Sequence, residues 1–358
     1  GRIAEILPFR RIHQMRSIFP WRAGLICGLA FTLASAFAAD APRSFFVNEN
    51  LYGVQIAGDQ AWIVGYYGTI LHSPDRGATW QEQASPVRNA LFGIRYLGND
   101  KAWINGSQGM LLRTRDGGKS WRALPTDTSE HLFGSFWLDE THGWLAGSRG
   151  VTLRTDDGGN SWQKTIVPGD FTFSAVWFTN PLRGWLAGEF GVIFQTQDGG
   201  KSWNKQKSPV EVAFSSGESR NLFALLFPNA ETGYAFGLDG LVLQTRGAKD
   251  WQVIRQRSEL EKSNGANHLF AAAVSKDRLW AVGERGTLLN AAMNGMRWEQ
   301  ISAAIPRVSL NAIAFGADGF ALIVGNRGLA LRSDDGGRAW KRFKLTLGTA
   351  ARDLTRAP

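Results

Sequence analysis

A module of about forty residues recurs along the chain, and it constrains the fold more than any other feature. The first four copies begin with tryptophans that lie 41 residues apart, and three weaker copies follow them. The seven copies begin at Trp62, Trp103, Trp144, Trp185, Tyr234, Trp280 and Leu322. Self-similarity at a fixed period indicates an architecture built from repeated structural units.

Each unit contains four short segments with a strand-like pattern, separated by turn residues. In the second unit these segments are 91–97, 102–105, 110–114 and 120–124. A repeat of about 40–45 residues with four strands is typical of a propeller blade, whose faces are buried only between neighbouring blades. The sequence therefore predicts an all-β fold, a seven-bladed β-propeller. The pattern leaves open whether the segment 45–47 adds a strand to the last blade.

The N-terminal segment has the pattern of a secretory signal peptide. Four arginines between positions 10 and 22 precede an apolar run at 23–37, and the segment 36–38 fits a small-x-small cleavage site. We therefore expect residues 1–39 to be a signal peptide, cleaved after Ala38 or Ala39, and residues 40–358 to form an exported, periplasmic propeller. Because Met15 is a natural start for such a signal, the sequence leaves open whether residues 1–14 belong to it.

Charge and cysteine content argue against several classes of protein. The formal net charge is +9, but residues 1–39 hold five Arg and one Glu, so that +9 − 4 leaves +5 for the rest. A mild charge without a basic run does not indicate nucleic-acid binding. The single cysteine, Cys27, lies in the signal segment, so neither a disulfide framework nor a cysteine-built metal site is expected. Ile26 stands where a lipid-anchored Cys27 would need a small residue, which disfavours a lipoprotein.

Five units end in a turn of the pattern Ser/Thr-x-Asp-x-Gly-x-x-Trp, known as an Asp-box. The aspartates of these turns are Asp75, Asp116, Asp157, Asp198 and Asp335. Such a carboxylate can accept hydrogen bonds from the backbone of its own turn, and the glycines can adopt positive φ. Copies spread around a ring cannot form one active site, so we interpret these aspartates as structural rather than catalytic.

Together the motifs resemble the photosystem II stability/assembly factor family. The resemblance covers roughly residues 45–345, and it rests on Trp-x-x-Gly-x-x-Gly-x-Ile/Leu followed by Thr-x-Asp-Gly-Gly-x-Ser-Trp. It is specific in units 1–4 and 7 and weaker in units 5 and 6. It implies an exported, non-enzymatic propeller without a cofactor, which binds a membrane-protein or envelope-complex subunit as an assembly or accessory factor. Photosynthetic relatives are thought to use basic residues on one face, but nothing in the sequence restricts the client to a photosystem.

The main alternative is a sialidase-like glycoside hydrolase or a carbohydrate-binding propeller, because sialidases also carry Asp-boxes. A retaining sialidase needs an arginine triad and a tyrosine nucleophile with a glutamate partner. The candidates for that pair are Tyr66 or Tyr67 with Glu189 or Glu284. Tyr234 occupies the position of a leading tryptophan and is interpreted as a packing residue. The histidines lack metal-ligand spacing, and we favour a protein with no catalytic residue, metal or small-molecule substrate.

A partner-binding face is predicted from blade topology. The turn between the second and third strands of a blade and the connector to the next blade lie on the same side of a propeller ring. The residues of these turns that we expect to contact a partner are Tyr66, Tyr67, Gln108, Arg149, Glu189, Phe190, Asp239, Glu284, Arg285 and Arg327. Two insertions, at 208–221 and 256–267, extend the same side as connectors.

Within that face, Arg149, Arg285 and Arg327 are predicted to contact the partner directly, together with both tyrosines and Phe190. Phe190 and Leu238 are expected to be exposed, which would be unusual for apolar side chains in a soluble turn. The competing interpretation is that these turns and insertions are solvated and have no partner. The chain is expected to be monomeric by itself.

Overall fold

The computed structural model describes residues 45–216, 218, 220–247, 250–256, 267–301 and 305–347. Within these residues the strands form seven four-stranded antiparallel sheets and one two-stranded ribbon. The fold is therefore an all-β, seven-bladed β-propeller, as the repeat predicts. The predicted signal peptide, residues 1–39, lies outside the described residues.

Each blade is a meander whose four strands pair side by side in chain order. Blade 1 contains β2 (Leu51–Ala57), β3 (Gln60–Gly65), β4 (Ile70–Ser73) and β5 (Gln81–Glu82). Blade 2 contains β6 (Leu91–Gly98), β7 (Lys101–Gly106), β8 (Leu111–Thr114) and β9 (Arg122–Leu124). Blade 3 contains β10 (Leu132–Trp137), β11 (Gly143–Gly147), β12 (Val151–Thr155) and β13 (Gln163–Ile166). Blade 4 contains β14 (Phe173–Phe178), β15 (Gly184–Gly188), β16 (Ile193–Thr196) and β17 (Asn204–Gln206).

The remaining three blades repeat this arrangement. Blade 5 contains β18 (Leu222–Leu226), β19 (Thr232–Gly237), β20 (Val242–Arg246) and β21 (Trp251–Arg255). Blade 6 contains β22 (Leu269–Val274), β23 (Arg278–Gly283), β24 (Leu288–Ala292) and β25 (Trp298–Gln300). Blade 7 contains β26 (Leu310–Phe315), β27 (Ala321–Gly325), β28 (Ala330–Ser333) and β29 (Lys341–Phe343). One short 3-10 turn, Phe214–Ser216, lies in the connector between blades 4 and 5.

The first strand of each blade forms the inner wall of the ring. It lies against the first strands of both neighbouring blades, and β26 of blade 7 lies against β2 of blade 1, which closes the circle. The fourth strand of each blade is outermost, and its side chains are mostly exposed.

Packed aromatic rings join five of the seven blades to the next one. The leading tryptophans are buried, and their rings pack on an aromatic residue at the end of the first strand of the following blade. The pairs and their ring-centroid distances are Trp62 with Tyr96 (4.5 Å), Trp103 with Trp137 (4.3 Å), Trp144 with Phe178 (3.8 Å), Trp185 with Phe227 (4.3 Å) and Trp280 with Phe315 (5.3 Å). The constant spacing of the tryptophans therefore reflects one contact repeated around the ring.

Blade 5 replaces the leading tryptophan by Tyr234, and the structure confirms that this residue packs in the core. Its side chain is fully buried, and its hydroxyl accepts a hydrogen bond from Gln244 Nε2 at 2.8 Å. Burial raises the pKa of the phenol above its ordinary value. The residue is thus a neutral, hydrogen-bonded packing group.

The ring closes through a ribbon outside the blades. Strand β1 (Phe45–Phe46) pairs antiparallel with β30 (Thr346–Leu347), so the N-terminal segment adds no strand to the sheet of the last blade. Leu347 also forms a parallel bridge with Trp80, the closing tryptophan of blade 1. Val47, Leu345 and Leu347 are buried in the core shared by blades 7 and 1. The two ends of the described chain therefore hold the last blade against the first.

We predict that Leu347→Ala lowers the free energy of unfolding by about 2 kcal/mol, because it leaves a cavity in the core that closes the ring. Denaturant unfolding followed by tryptophan fluorescence measures this. Ile166→Ala is the matched control, because Ile166 lies on an outer strand with 53% of its surface exposed. Equal stability of the two variants would show that the ribbon does not contribute to closure.

Candidate partner-binding face

The turns between the second and third strands carry all ten residues predicted to contact a partner. In blade 3 the N–H of Ser148, the first turn residue, donates to the carbonyl of His131 at 3.0 Å. The N–H of Gly150, which closes the turn, donates to the carbonyl of Phe171 in the connector that enters the next blade, at 2.7 Å. Turns and connectors thus lie on the same side of the ring, as predicted, and we call this side the turn face.

In six of the seven turns the closing glycine is required by close contact with the connector. Gly150 has φ +70°, and a Cβ atom on it would lie 2.2 Å from the carbonyl oxygen of Val167. Both the positive φ and the contact exclude a larger residue without a shift of the connector. The second glycine of the repeat therefore fixes the position of the turn relative to the neighbouring blade.

The middle residue of each turn adopts the left-handed conformation although it is never glycine. The seven residues have φ between 54° and 57°, and they are Tyr67, Gln108, Arg149, Phe190, Asp239, Arg285 and Arg327. In four blades a side chain from the start of the next blade accepts the N–H of this residue. The acceptors are His131 for Gln108, Asn221 for Phe190, His268 for Asp239 and Asn50 for Arg327. These hydrogen bonds stabilise a backbone conformation that non-glycine residues rarely adopt.

Six of the ten predicted residues are exposed on the turn face. They are Tyr66, Tyr67, Gln108, Arg149, Arg285 and Arg327. Glu189, Phe190, Asp239 and Glu284 are half-buried instead, and so is Leu238. The expectation that Phe190 and Leu238 are exposed is therefore wrong.

Local contacts explain why these side chains are withdrawn. Glu189 accepts a hydrogen bond from the backbone N–H of Thr172 at 2.9 Å. The ring of Phe190 packs edge-on against Phe171 beside the core of blade 4. These side chains thus stabilise the turn and the adjoining core of blade 4, in addition to forming part of the turn face.

Arginine and tyrosine side chains occupy three consecutive blades of the turn face. Arg285 belongs to blade 6, Arg327 to blade 7, and Tyr66 and Tyr67 to blade 1, which adjoins blade 7. Both tyrosines keep just over half of their surface exposed. We call these four residues the basic–aromatic sector.

One further residue of this sector was not found from the sequence. Arg88, in the connector that leaves blade 1, donates to the Tyr67 hydroxyl at 2.8 Å, and its guanidinium lies 5.0 Å from the centre of the same ring. The sequence offered no repeat position to identify it, because connectors differ from blade to blade. Its cation–π contact adds positive charge beside the exposed tyrosines.

Arg149 stands apart from the other two predicted arginines. It belongs to blade 3, three blades from Arg327 around the ring. It is exposed, and its guanidinium lies 3.9 Å from the Glu130 carboxylate. The three arginines share a turn position and a face, but they do not form one cluster.

The first predicted insertion is a connector on the turn face. The N–H of Val212 donates to the carbonyl of Phe190 at 3.0 Å, and Lys205 pairs with Glu211 at 2.5 Å. Most of the second insertion, residues 257–266, lies outside the described residues.

The five predicted aspartates lie on the opposite side of the ring, in turns between the third and fourth strands. In blade 3 the Asp157 carboxylate accepts hydrogen bonds from the Thr155 hydroxyl (2.8 Å) and from the N–H and hydroxyl of Ser161 (2.9 and 2.6 Å). Asp75, Asp116 and Asp198 repeat this set of contacts. Asp335 bonds to Ser333 and to the N–H of Ala339, which has no hydroxyl.

These turns also join neighbouring blades. The carbonyl of Gly158, beside Asp157, accepts hydrogen bonds from Trp103 Nε1 at 3.0 Å and from Arg113 at 2.8 Å, both in blade 2. Trp144 of blade 3 donates to the carbonyl of Gly199 in blade 4 at 2.8 Å in the same way. The aspartates therefore stabilise the shape of turns whose carbonyl groups bind side chains of the preceding blade.

Hydrogen bonding lowers the pKa of these carboxyls. For Asp116 the side chain and backbone of Ser120 lower the pKa to about 2. For Asp157 partial burial acts in the opposite direction, but the hydrogen bonds from Ser161 and Thr155 outweigh it and the pKa is again about 2. The folded state therefore favours the ionised form.

Three of the four residues considered for a sialidase-like pair have separate local contacts. Tyr67 bonds to Arg88 in blade 1, Glu189 to Thr172 in blade 4, and the Glu284 carboxylate lies 3.6 Å from His268 in blade 6. None of these contacts joins a tyrosine to a glutamate.

Among the described residues no three His, Cys, Asp or Glu side chains gather as metal ligands do. In that part of the chain, no helix has the length and apolar character needed to cross a membrane.

Comparison with known families identifies the chain. The model of the family described as "Photosynthesis system II assembly factor YCF48" matches residues 42–129, 78–170, 119–212, 160–267 and 248–350. Together these matches cover residues 42–350, so the chain belongs to this family. No curated protein sequence matches the chain.

Solved structures share the fold at low sequence identity. A structure described as YCF48 bound to D1 peptide is 18% identical, with a TM-score of 0.63 over 81% of this chain and 96% of the other. YCF48 from Cyanidioschyzon merolae is 17% identical, with a TM-score of 0.63 over 82% and 98%. A GH74 xyloglucanase from Xanthomonas campestris is 14% identical, with a TM-score of 0.62 over 86% of this chain and 56% of the enzyme. The propeller fold is thus found in enzymes as well as in assembly factors.

We predict that acid weakens the fold through these carboxyls. A pKa lowered from the ordinary 3.8 to about 2 gives stability that is present above pH 4 and is lost as the pH falls toward 2. Asp157→Asn should therefore lower stability at pH 7 by about 1 kcal/mol, as loss of a capping side chain does, and should flatten the stability profile between pH 4 and 2.

Denaturant midpoints measured from pH 2 to pH 7 test this. Asp277→Asn, at an exposed position in a turn of blade 6, is the control. An Asp157→Asn profile parallel to that of the wild type would contradict a role for this carboxylate in the acid response.

Proposed function

We propose that the protein is an exported, non-enzymatic assembly or accessory factor that binds a membrane-protein or envelope-complex subunit through its turn face. Membership of the YCF48 family carries this proposal. It is supported by the solved structure described as YCF48 bound to D1 peptide, in which a protein similar to this chain binds a peptide.

The basic–aromatic sector is the part of the turn face best suited to this contact. Arginine and tyrosine are enriched where protein interfaces bind most tightly, because both combine a large contact area with hydrogen bonding. Here Arg285 and Arg327 are exposed, and the two tyrosines expose apolar rings that a soluble monomer has little reason to display. Their backbone is fixed by the turn hydrogen bonds, so little ordering would be needed on binding.

The signal-peptide pattern supports export, and the proposed contact would then lie outside the cytoplasmic membrane. The turn face would then meet the periplasmic loops or tails of its client. In this proposal the client is a protein that is accessible outside the cytoplasmic membrane and has affinity for a basic, aromatic surface. It need not be a photosystem subunit. The chain acts as a monomer in this proposal.

The alternative, an enzyme acting on sugars, has only the shared fold in its favour. The GH74 enzyme is a longer chain, of which this chain spans little more than half. The two proposals differ in a direct measurement: hydrolysis of fluorogenic glycosides, including sialosides, by the purified protein would favour the enzyme.

We predict that Arg285→Glu combined with Arg327→Glu reduces co-purification of envelope membrane proteins with the tagged protein at least tenfold. The matched control is Arg115→Glu combined with Arg338→Glu, which changes the charge equally on exposed aspartate-turn residues of the opposite side. Melting temperature and quantitative mass spectrometry of the eluates are the measurements. The separate Arg149→Glu variant shows whether the client also reaches blade 3.

The proposal fails if both double variants retain the same partners at wild-type levels. It fails equally if the two lose them to the same extent while remaining folded, because the interaction would then follow net charge rather than the turn face.

A further inference from the structure

A cavity of about 280 Å³ lies on the axis of the propeller and is not used by the proposed client contact. Its walls come from the first strands of blades 1 to 6, which form the inner wall of the ring, and from Asn105 on the second strand of blade 2. That volume is near the lower end of small-molecule sites in proteins, and it suits one aromatic ring with a short polar group.

Four bulged residues, Phe133, Ser174, Phe223 and Phe270, line the cavity. The first strand of every blade has an irregular register at its second residue, so that this residue is left out of the pairing with the second strand. Such bulges redirect side chains, and they are common beside binding sites. In five of the seven blades the bulged residue is aromatic: Tyr52, Phe92, Phe133, Phe223 and Phe270.

These five residues form what we call the aromatic collar. Phe92 packs on Tyr52 and Phe133 with ring centroids 5.9 and 5.0 Å apart, and Phe223 packs on Phe270 at 5.4 Å. All five side chains are half-buried, and Phe133, Phe223 and Phe270 line the cavity itself. Because the collar directly follows the connectors, the cavity reaches the turn face.

Within the described parts of the chain, Arg95 is the one charged residue that lines the cavity. It stands three positions beyond the bulged Phe92, or about 10 Å deeper along the strand. Its side chain remains accessible to solvent, yet the surrounding protein lowers the pKa of the guanidinium by desolvation. Among the described residues no hydrogen bond or ion pair satisfies this guanidinium, whereas Arg113 on the same blade bonds to Gly158.

A guanidinium without a counter-charge pairs best with a carboxylate that accepts two parallel hydrogen bonds. Among the residues that the structure describes, no carboxylate lines the cavity. A single positive charge balances a single negative one, which favours a monoanion over a phosphate. The collar favours an aromatic or apolar body attached to that anion.

We propose that the axial cavity binds a monocarboxylate carried on an aromatic or apolar body, with the carboxylate on Arg95 and the body within the aromatic collar. A free organic acid and the C-terminal end of a peptide share this chemistry. The site is independent of the basic–aromatic sector, so that either proposal can fail without the other.

The test uses the full chain with nitrogen-15 in its tryptophan side chains, titrated with 3-phenylpropionate. Trp177 lines the cavity, and its indole N–H signal, assigned through Trp177→Phe, reports binding. We expect a saturable shift of this signal and at least tenfold weaker binding of 3-phenylpropionamide, which has the same shape without the charge.

Arg95→Gln should weaken binding of the acid at least tenfold, and Arg95→Lys should restore part of it. Arg122→Gln, at an exposed site on the outer strand of the same blade, should bind like the wild type. In parallel, the tripeptide Ala-Ala-Phe is compared with a free and with an amidated C-terminus. Binding of the free tripeptide supports the proposal with a chain end as ligand, and binding of the small acid alone supports it with a small molecule as ligand.

The proposal is overturned if the Trp177 signal does not respond to either acid at millimolar concentration. Equal affinity for the acid and its amide, or equal affinity of the Arg95→Gln and Arg122→Gln variants for the acid, would overturn it as well. The tryptophan spectrum of each variant shows directly whether the fold is intact.

Discussion

Aromatic stacking between successive blades is the contact on which the rest of this structure depends. A four-stranded sheet cannot bury both of its faces alone, so each blade is stable only between two others. At five of the seven junctions the leading tryptophan of one blade and the aromatic residue at the end of the first strand of the next contribute to that burial, with centroids 3.8 to 5.3 Å apart. The ring must also close, and the ribbon formed by β1 and β30 places Leu347 against Trp80 to do so.

In this arrangement the two sides of the ring have different roles. On one side the aspartate turns are saturated with internal hydrogen bonds and receive Trp and Arg side chains from the preceding blade, so their polar atoms are used in assembly. On the other side the backbone of each turn is fixed by the next blade, while six of the predicted side chains remain exposed. A rigid frame with exposed arginines and tyrosines is suited to binding, and this is why we place the client there.

The repeat alone was sufficient to predict the fold, the number of blades, the burial of Tyr234 and the side on which the turns lie. The repeat could not predict whether the side chain of an individual turn residue is exposed or half-buried. Phe190 and Leu238 share the position of exposed residues but are half-buried, because neighbouring connectors differ in sequence and pack over them differently. Arg88 and the aromatic collar were missed for related reasons. A connector has no repeat position, and a bulge is visible only once the strands are paired.

Hydrogen–deuterium exchange of the protein with and without its purified client tests the central claim most directly. The account predicts slower exchange in the turns of blades 6, 7 and 1 and in the connector that contains Arg88, with no change in the aspartate turns. Protection confined to the aspartate-turn side, or absent from all three of these blades, would contradict it.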